Sequence, residues 1–400
     1  MLIRLSFSLA LVLSSALAQD WTNHPPRVSA ERFPILGWSG SPSDTEALRL
    51  MHEAGLNVSG FCRVEDLDRV RDAGLACFVS GTALDAMIDR PSTTDAEIKA
   101  AVSALAARIG SHPAALGVYL RDEPSVQQMN MLGRLSAALL KAMPGKLPYV
   151  NLFPNYANSQ QLAAATYEDY LRSYLKLVKL PYLSWDNYSL SNGEMQPSFY
   201  DNLDLVRRLT LEAGIPFWNC VLSTALFKYL EPSDATFNLQ VYATLAYGGR
   251  GLEFFTYFTA DTGNFRLAPV DHYGNRTATW DLLRRITLQI HALAPTLLNL
   301  RSTGVYHWPV STAAGTPLLK DVRTDGKFLI GEFQDTTGRP YLMLVNKSLR
   351  DSVKFSLEPR LPGARIFRVS PASGREGDLG GEGNWLAPGA GVLLRLAPPV

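Results

Sequence analysis

The chain has little of what most metal and cofactor chemistry needs. Its 400 residues include only 3 Cys and 6 His. The histidines, His24, His52, His112, His272, His291 and His307, are scattered, and neither an HExxH nor a paired Cys/His spacing occurs, so no metal and no other cofactor is expected. No GxSxG turn is present to frame a Ser-His-Asp hydrolase. No glycine-rich turn follows a strand; Gly248-Gly249-Arg250-Gly251 precedes one, which makes it a helix end and not a dinucleotide loop. Charge of one sign is also missing: 38 basic and 37 acidic side chains leave a net +1, giving no field for nucleic acid or an anionic membrane. Beyond the first residues no run reaches the roughly 18 apolar residues of a membrane span.

What is present starts with a leader. Arg4 precedes an apolar run, Leu5 to Leu13, and Ala16-Leu17-Ala18 forms a small-x-small site, so residues 1–18 read as a signal peptide and the remainder as a secreted chain, extracellular or periplasmic. Cys62, Cys77 and Cys220 each sit in an apolar run and are odd in number. Buried free thiols are the plainer expectation, with a Cys62–Cys77 bridge as the alternative that an oxidising compartment permits. Hydrophobic residues make up 46% and charged residues 19%, a balance that builds cores and excludes disorder or coiled coil as the main architecture.

From Arg32 to Leu300, short β-rich runs alternate with longer helical patterns. The strands are expected at Phe33–Ser39, Leu56–Cys62, Leu75–Ser80, Leu116–Glu123, Leu147–Phe153, Tyr182–Tyr188, Ile215–Leu222 and Gly251–Thr259. Eight such units predict an α/β protein with a (β/α)8 TIM barrel over residues 19–300. Asp44 and Asp95 are expected N-caps, and Gly55, Gly74, Gly110 and Gly214 expected helix ends. Residues 301–400 have strand alternation and turn residues but no helix pattern, which predicts a C-terminal antiparallel β-sandwich.

Barrels carry function at the carboxyl ends of their strands. In strand four, alternation points Tyr119, Arg121 and Glu123 toward the axis, with Glu123 at the mouth and Pro124 stopping the strand. Asp122 points away unless the strand bends at its end. In strand six, Ser184, Asp186 and Tyr188 point inward by the same logic. Two carboxyls at one mouth are what glycosidic cleavage uses, one as acid and one as base, nucleophile or charge stabiliser, and Arg121 and Tyr188 are placed to tune them. The plainer reading of Asp-Glu at a strand end is a cap for the next helix. Glu253 starts strand eight and is expected to be a buried partner of a barrel Arg, with Tyr257 the functional residue of that strand. Trp38, Asn151, Trp218 and Asn219 complete a cleft of flat faces and amides that suits a sugar ring. The stretch from Asp261 to Asn275, with Arg266, Asp271 and His272, is a candidate lid.

The segments GVYLRDEP, SWDNYS, LAYGGRGLEFFTYFT, HYGNRTATWDLL and LAPGAGVLLRL resemble barrel glycoside hydrolases of the clan A and β-galactosidase-like pattern, in which a sandwich follows the barrel. The resemblance implies a general acid/base at Glu123. It also implies a nucleophilic Glu after strand seven, where Phe217 to Ser223 has no carboxylate. Asp122-Glu123-Pro124 is similar to the strand-four end of substrate-assisted N-acetylhexosaminidases, implying that Asp122 orients a 2-acetamido group while Trp218 or Tyr257 flanks it. The expected function is thus a secreted glycoside hydrolase acting on a carbohydrate, with Glu123 as acid and Asp186 or Asp122 as second carboxylate. Substrate assistance through the Asp122-Glu123 pair, and a degenerate barrel that binds carbohydrate without cleaving it, are the alternatives.

Overall fold

The structure is a computed structural model that describes residues 27–309, 315–380 and 384–399; the leader at 1–18 falls outside the described residues. Eight parallel strands close into a barrel: β1 (Ile35–Trp38), β2 (Val58–Cys62), β3 (Ala76–Val79), β4 (Ala115–Asp122), β5 (Leu147–Leu152), β6 (Leu183–Asp186), β7 (Phe217–Leu222) and β8 (Leu252–Phe255). Their order around the barrel is β1-β8-β7-β6-β5-β4-β3-β2. Each lies within or beside its expected run, because short apolar runs between helices can bury both faces only in a parallel sheet. Two are shorter than expected in a way that matters below: β6 stops at Asp186 and β8 at Phe255.

Local signals set the helix ends. Asp44 caps the helix Thr45–Glu53 by accepting from the Ala47 N–H at 2.8 Å. Asp95 does not cap; Thr94 does, through a reciprocal box with Glu97, and Asp95 pairs with Arg134 instead. Gly214 ends the helix Pro197–Ala213 with a φ of 69°, a left-handed turn that glycine adopts without cost. Among the described residues no helix is long and apolar enough to cross a membrane.

Cys62 and Cys77 form a disulfide that ties the end of β2 to β3, while Cys220 is free and buried. The expectation of three free thiols is therefore corrected. Cys62 and Cys77 are far apart in sequence, but adjacent parallel strands bring their Cα atoms to 6.1 Å, within disulfide reach.

Beyond the barrel the strands are antiparallel: β9 (Leu300–Trp308), β10 (Leu319–Arg323), β11 (Phe328–Asp335), β12 (Pro340–Asn346), β13 (Val353–Pro359), β14 (Arg365–Val369), β15 (Glu376–Asp378), β16 (Asn384–Leu386) and β17 (Gly391–Ala397). They form a six-stranded sheet, β9-β11-β12-β17-β14-β15, and a three-stranded sheet, β10-β13-β16. Alternation gives the larger sheet two buried faces. Ile330, Leu342, Leu344 and Leu394 meet Val322, Val353 and Phe355 of the smaller sheet, whereas Leu329, Met343, Val345 and Leu393 join the barrel's core. The helix Asp234–Ala246 is buried almost all round because it lies between barrel and sheet. At its end, a Cβ on Gly331 would stand 2.1 Å from the Ala246 carbonyl, so only glycine admits this contact.

Replacing both Cys62 and Cys77 by Ala removes a cross-link spanning 15 residues, and roughly 3 kcal/mol of stability is expected to go with it. Denaturant unfolding of the double variant checks this; an unmoved midpoint contradicts it.

Candidate active site

The mouth is shaped by an irregularity in β4. A Cβ at Gly117 would lie 1.7 Å from the Leu147 carbonyl, so glycine alone permits the close approach of β5. Further along, the pairing of β4 with β5 shifts register between Tyr119 and Arg121. Such a bulge advances the alternation by one. Tyr119 faces the axis, and after the shift Asp122, not Arg121, stands opposite Asn151. Arg121 turns away to an ion pair with Asp89, so its expected role in tuning the carboxyls is not supported.

Glu123 follows with a φ of 46°, a left-handed conformation that costs a non-glycine residue roughly 1–3 kcal/mol. Its N–H donates to the Asn151 carbonyl at 2.9 Å, and Tyr170 Oη donates to the Pro124 carbonyl at 2.8 Å, which fixes the turn. The next helix, Val126–Ala142, is capped by Ser125 with Gln128. Neither Asp122 nor Glu123 serves as that cap, which leaves both carboxyls for the mouth.

Asn151 gathers the acids. Its Nδ2 donates to Asp186 Oδ1 at 2.9 Å and to Asp122 Oδ1 at 3.1 Å. Its Oδ1 accepts from Ser184 Oγ at 3.0 Å, and Ser184 Oγ lies 3.1 and 3.2 Å from the two oxygens of Glu253. Glu253 does not have the Arg partner expected for it. It is fully buried in the barrel and bonded by Tyr149 Oη at 2.9 Å, while Tyr149 accepts from Trp38 Nε1 at 3.1 Å. The Glu123 carboxyl makes no hydrogen bond among the described residues.

Burial shifts these acids toward their protonated forms, each to a different extent. Burial pushes the Glu123 carboxyl up to about 7, with a further contribution from the Asp122 charge. Burial, then the charges of Glu123 and Asp122, raises Asp186 well above the usual carboxylate range. Asp122 is raised by burial as well, but the Asn151 amide and the Glu123 N–H oppose the shift. Of the three, Asp122 is accordingly the group that ionises most readily. Coupled groups so close titrate as a cluster.

The opposite wall is aromatic. Trp38 lies 5.1 Å from Phe61 and 5.3 Å from Phe255, and Tyr188 stacks on Phe255 at 5.2 Å. Tyr188 Oη donates to Cys220 Sγ at 3.4 Å, and its backbone N–H donates to Tyr156 Oη at 3.2 Å. Tyr229 and the exposed Phe227 extend the surface outward. At the end of β7 stands Leu222, buried, so no carboxyl faces Glu123 from that strand.

Glu123, Asp122, Asp186, Asn151, Tyr188 and Trp38 therefore stand together at the mouth, Asp122 because the register shift in β4 turns it inward against the simple alternation. Besides Arg121, three others do not. Trp218 stacks on Tyr182 at 3.8 Å near the amino end of β7, where it plugs the base of the barrel. Asn219 points outward and donates to Thr244 Oγ1 at 2.8 Å. Tyr257, beyond the end of β8, accepts from Trp280 Nε1 at 3.1 Å on the following helix. Phe255 takes the place expected for Tyr257, and its inward parity with Glu253 is the signal that identifies it. Tyr156 and Tyr229 had no comparable signal, since loop aromatics carry no periodicity, and Phe61 stands in β2 beyond a register shift between Val58 and Phe61 that upsets its parity. In the loop after β8, Arg266 pairs with Glu231 and His272 with Asp261, while Asp271 accepts from the Tyr273 and Asn275 N–H groups. These three hold the loop together.

With this geometry in place, the chain can be set beside known structures. Over 92% of its length it matches the β-galactosidase of Bacillus circulans sp. alkalophilus, covering 99% of that chain with a TM-score of 0.64 at 10% identity. A family 5 glycoside hydrolase from Bacteroides vulgatus matches 92% of the chain over 89% of its own, with a TM-score of 0.56 at 13% identity. The chain spans 62% of a β-galactosidase from the psychrophile Marinomonas ef1, with 68% of its own length matched at 12% identity and a TM-score of 0.47. No family model matches the sequence, nor does any curated protein. At such identities the first two matches establish the fold alone, a TIM barrel, shared with solved glycoside hydrolases.

Raised carboxyls link stability to pH. Glu253, held at about 8 by burial, keeps its proton in the folded state after the unfolded chain has lost it. Its contribution is complete below the unfolded value near 4.5 and disappears as pH rises to about 8. At about 1.4 kcal/mol per unit this amounts to a few kcal/mol, and Asp186 acts in the same sense. The melting temperature is expected to fall steadily from pH 5 to pH 8.5, with a shallower fall in Asp186→Asn. A flat or rising profile contradicts the assignment.

Proposed function

We propose that this protein is a glycoside hydrolase that acts on a carbohydrate outside the cytoplasm, with Glu123 as general acid. The observation that carries the reading is the end of β4: Glu123 and the more readily ionised Asp122 both face an aromatic-walled mouth, and Glu123 keeps its proton up to about pH 7. In the proposed reaction Glu123 gives its proton to the leaving glycosidic oxygen as the bond to the anomeric carbon breaks. Positive charge gathers at that carbon beside Asp122, and water adds to the carbon while giving up a proton to the carboxylate that Glu123 has become, which restores the acid. Trp38, Phe255 and Tyr188 would take the apolar face of the sugar ring. Asp186 then serves as a neutral hydrogen-bonding group at neutral pH, and as the second carboxylate only if substrate removes its proton. The export reading is supported by the leader pattern at 1–18 and by the Cys62–Cys77 bridge, which suits an oxidising compartment.

A second reading, substrate assistance by a 2-acetamido group, is favoured by Leu222 at the end of β7, where a nucleophilic carboxylate would otherwise stand. Here Asp122 orients the acetamide, whose oxygen attacks the anomeric carbon. A panel of aryl glycosides in matched 2-hydroxy and 2-acetamido forms separates the two: turnover restricted to the acetamido series supports assistance, and turnover of both supports direct use of the carboxyls.

Glu123→Gln is expected to lower kcat/KM by about 10²–10⁴ for poor leaving groups and by less for activated aryl groups. Wild-type kcat/KM should fall tenfold per pH unit above about 7, where Glu123 loses its proton, and the variant should lack that limb. Undiminished turnover in Glu123→Gln sinks the assignment. Oligosaccharide binding with no hydrolysis at any pH indicates a binding protein.

A further inference from the structure

The buried chain of hydrogen bonds beneath the mouth has a direction that can be deduced by counting hydrogens. Trp38 Nε1 can only donate, and it lies 3.1 Å from Tyr149 Oη. Tyr149 therefore accepts there and spends its own proton on Glu253 Oε2 at 2.9 Å. At the other end an ionised Asp122 can only accept. The Asn151 amide must therefore present its two N–H hydrogens to Asp122 and Asp186, which turns its Oδ1 toward Ser184. An amide oxygen carries no hydrogen, so the single proton of Ser184 goes to Asn151. Ser184 Oγ also lies 3.4 Å from Tyr149 Oη, whose proton goes to the nearer Glu253 Oε2, so the contact of Ser184 Oγ with Glu253 at 3.1 and 3.2 Å has a donor only if the carboxyl supplies it.

The geometry points to Glu253 as a positioning residue: a neutral carboxylic acid whose O–H donates to Ser184 and so orients the Asn151 amide toward Asp122 and Asp186. This role rests on the glycosidase reading for its consequence, but not for its existence. The groups around Glu253 agree with a neutral acid. From β4 comes Asp122, from β5 Tyr149, from β6 Tyr182, Ser184 and Asp186, and from β7 Cys220; no cation is among them. Burial without a counter-charge favours the protonated form. Once the proton is lost, Ser184 must turn its hydrogen to the carboxylate. Asn151 Oδ1 is then without a donor, and the amide loses the bond that fixes its orientation.

The test reads Asn151 directly. In protein labelled with 15N at asparagine, the Asn151 side-chain amide signals, identified by their loss in Asn151→Asp, are followed from pH 6 to 9.5. A shift with a midpoint near 8 is expected in wild type, absent from Glu253→Gln, whose amide reproduces both bonds without titrating, and absent from Ser184→Ala, which cuts the chain. A wild-type signal with no step near 8, or a step near 8 that survives in either variant, overturns the proposal, while the separate step of Glu123 near 7 is common to all three proteins. Kinetics supply the consequence. Glu253→Met and Ser184→Ala are expected to lower kcat tenfold or more with KM within about threefold, and Glu253→Gln to recover most of that loss. Equal damage by Met and Gln at 253 also overturns it. If wild-type protein turns over no glycoside, the glycosidase reading fails while the amide titration still decides the role of Glu253.

Discussion

Four carboxyl groups share the interior of one closed barrel with no cation bonded to them among the described residues, and the organisation of the mouth follows from that. Charged acids cannot be taken out of water at this density unless something neutralises them. Here protons do so in place of Arg or Lys. Glu253 and Asp186 are deepest and most firmly protonated, Glu123 lies nearer solvent and keeps its proton to about 7, and Asp122 is supported by two N–H donors. Depth and hydrogen bonding thus spread one residue type over several protonation states. The Asn151 amide is the common support of Asp122 and Asp186, which makes its orientation a condition for the rest.

The scaffold holds this arrangement from two sides. The bulge in β4 turns Asp122 inward, and the fixed turn at Glu123 and Pro124 brings the neighbouring carboxyl to the same opening. From outside, the six-stranded sheet buries the helix Asp234–Ala246 against β7, and Gln240 of that helix bonds both the N–H and the carbonyl of Leu222. The second domain therefore stabilises the wall that faces the acids.

Most of this was legible in the sequence, and the exceptions have physical causes. Eight apolar runs separated by amphipathic helices define the barrel, because only a parallel sheet buried on both faces needs them. The inward placement of Asp186 and Tyr188 followed from simple alternation, and Asn151 was expected in the cleft from its place near the end of strand five. Alternation assigned Arg121 wrongly, since one inserted residue reverses every position after it, and no local residue type marks this bulge. Trp218 and Asn219 were misplaced by depth: they have strand parity but lie at the amino end, where an inward aromatic plugs the barrel and an outward amide meets a helix. Tyr257 was lost to strand length, because β8 ends two residues earlier. The Arg expected beside Glu253 reflects a general preference for pairing buried acids with cations, which this barrel replaces with a hydroxyl chain.

The proposed chemistry depends most directly on the proton of Glu123. Carbon-13 NMR of glutamate carboxyls in the free protein, with the Glu123 signal identified by its loss in Glu123→Gln, measures that titration without any substrate. A midpoint near 7 that moves downward in Asp122→Asn is the predicted result, since removing the neighbouring charge removes the smaller of the two causes and leaves burial. A midpoint at the ordinary glutamate value near 4.5, unaffected by Asp122→Asn, contradicts it.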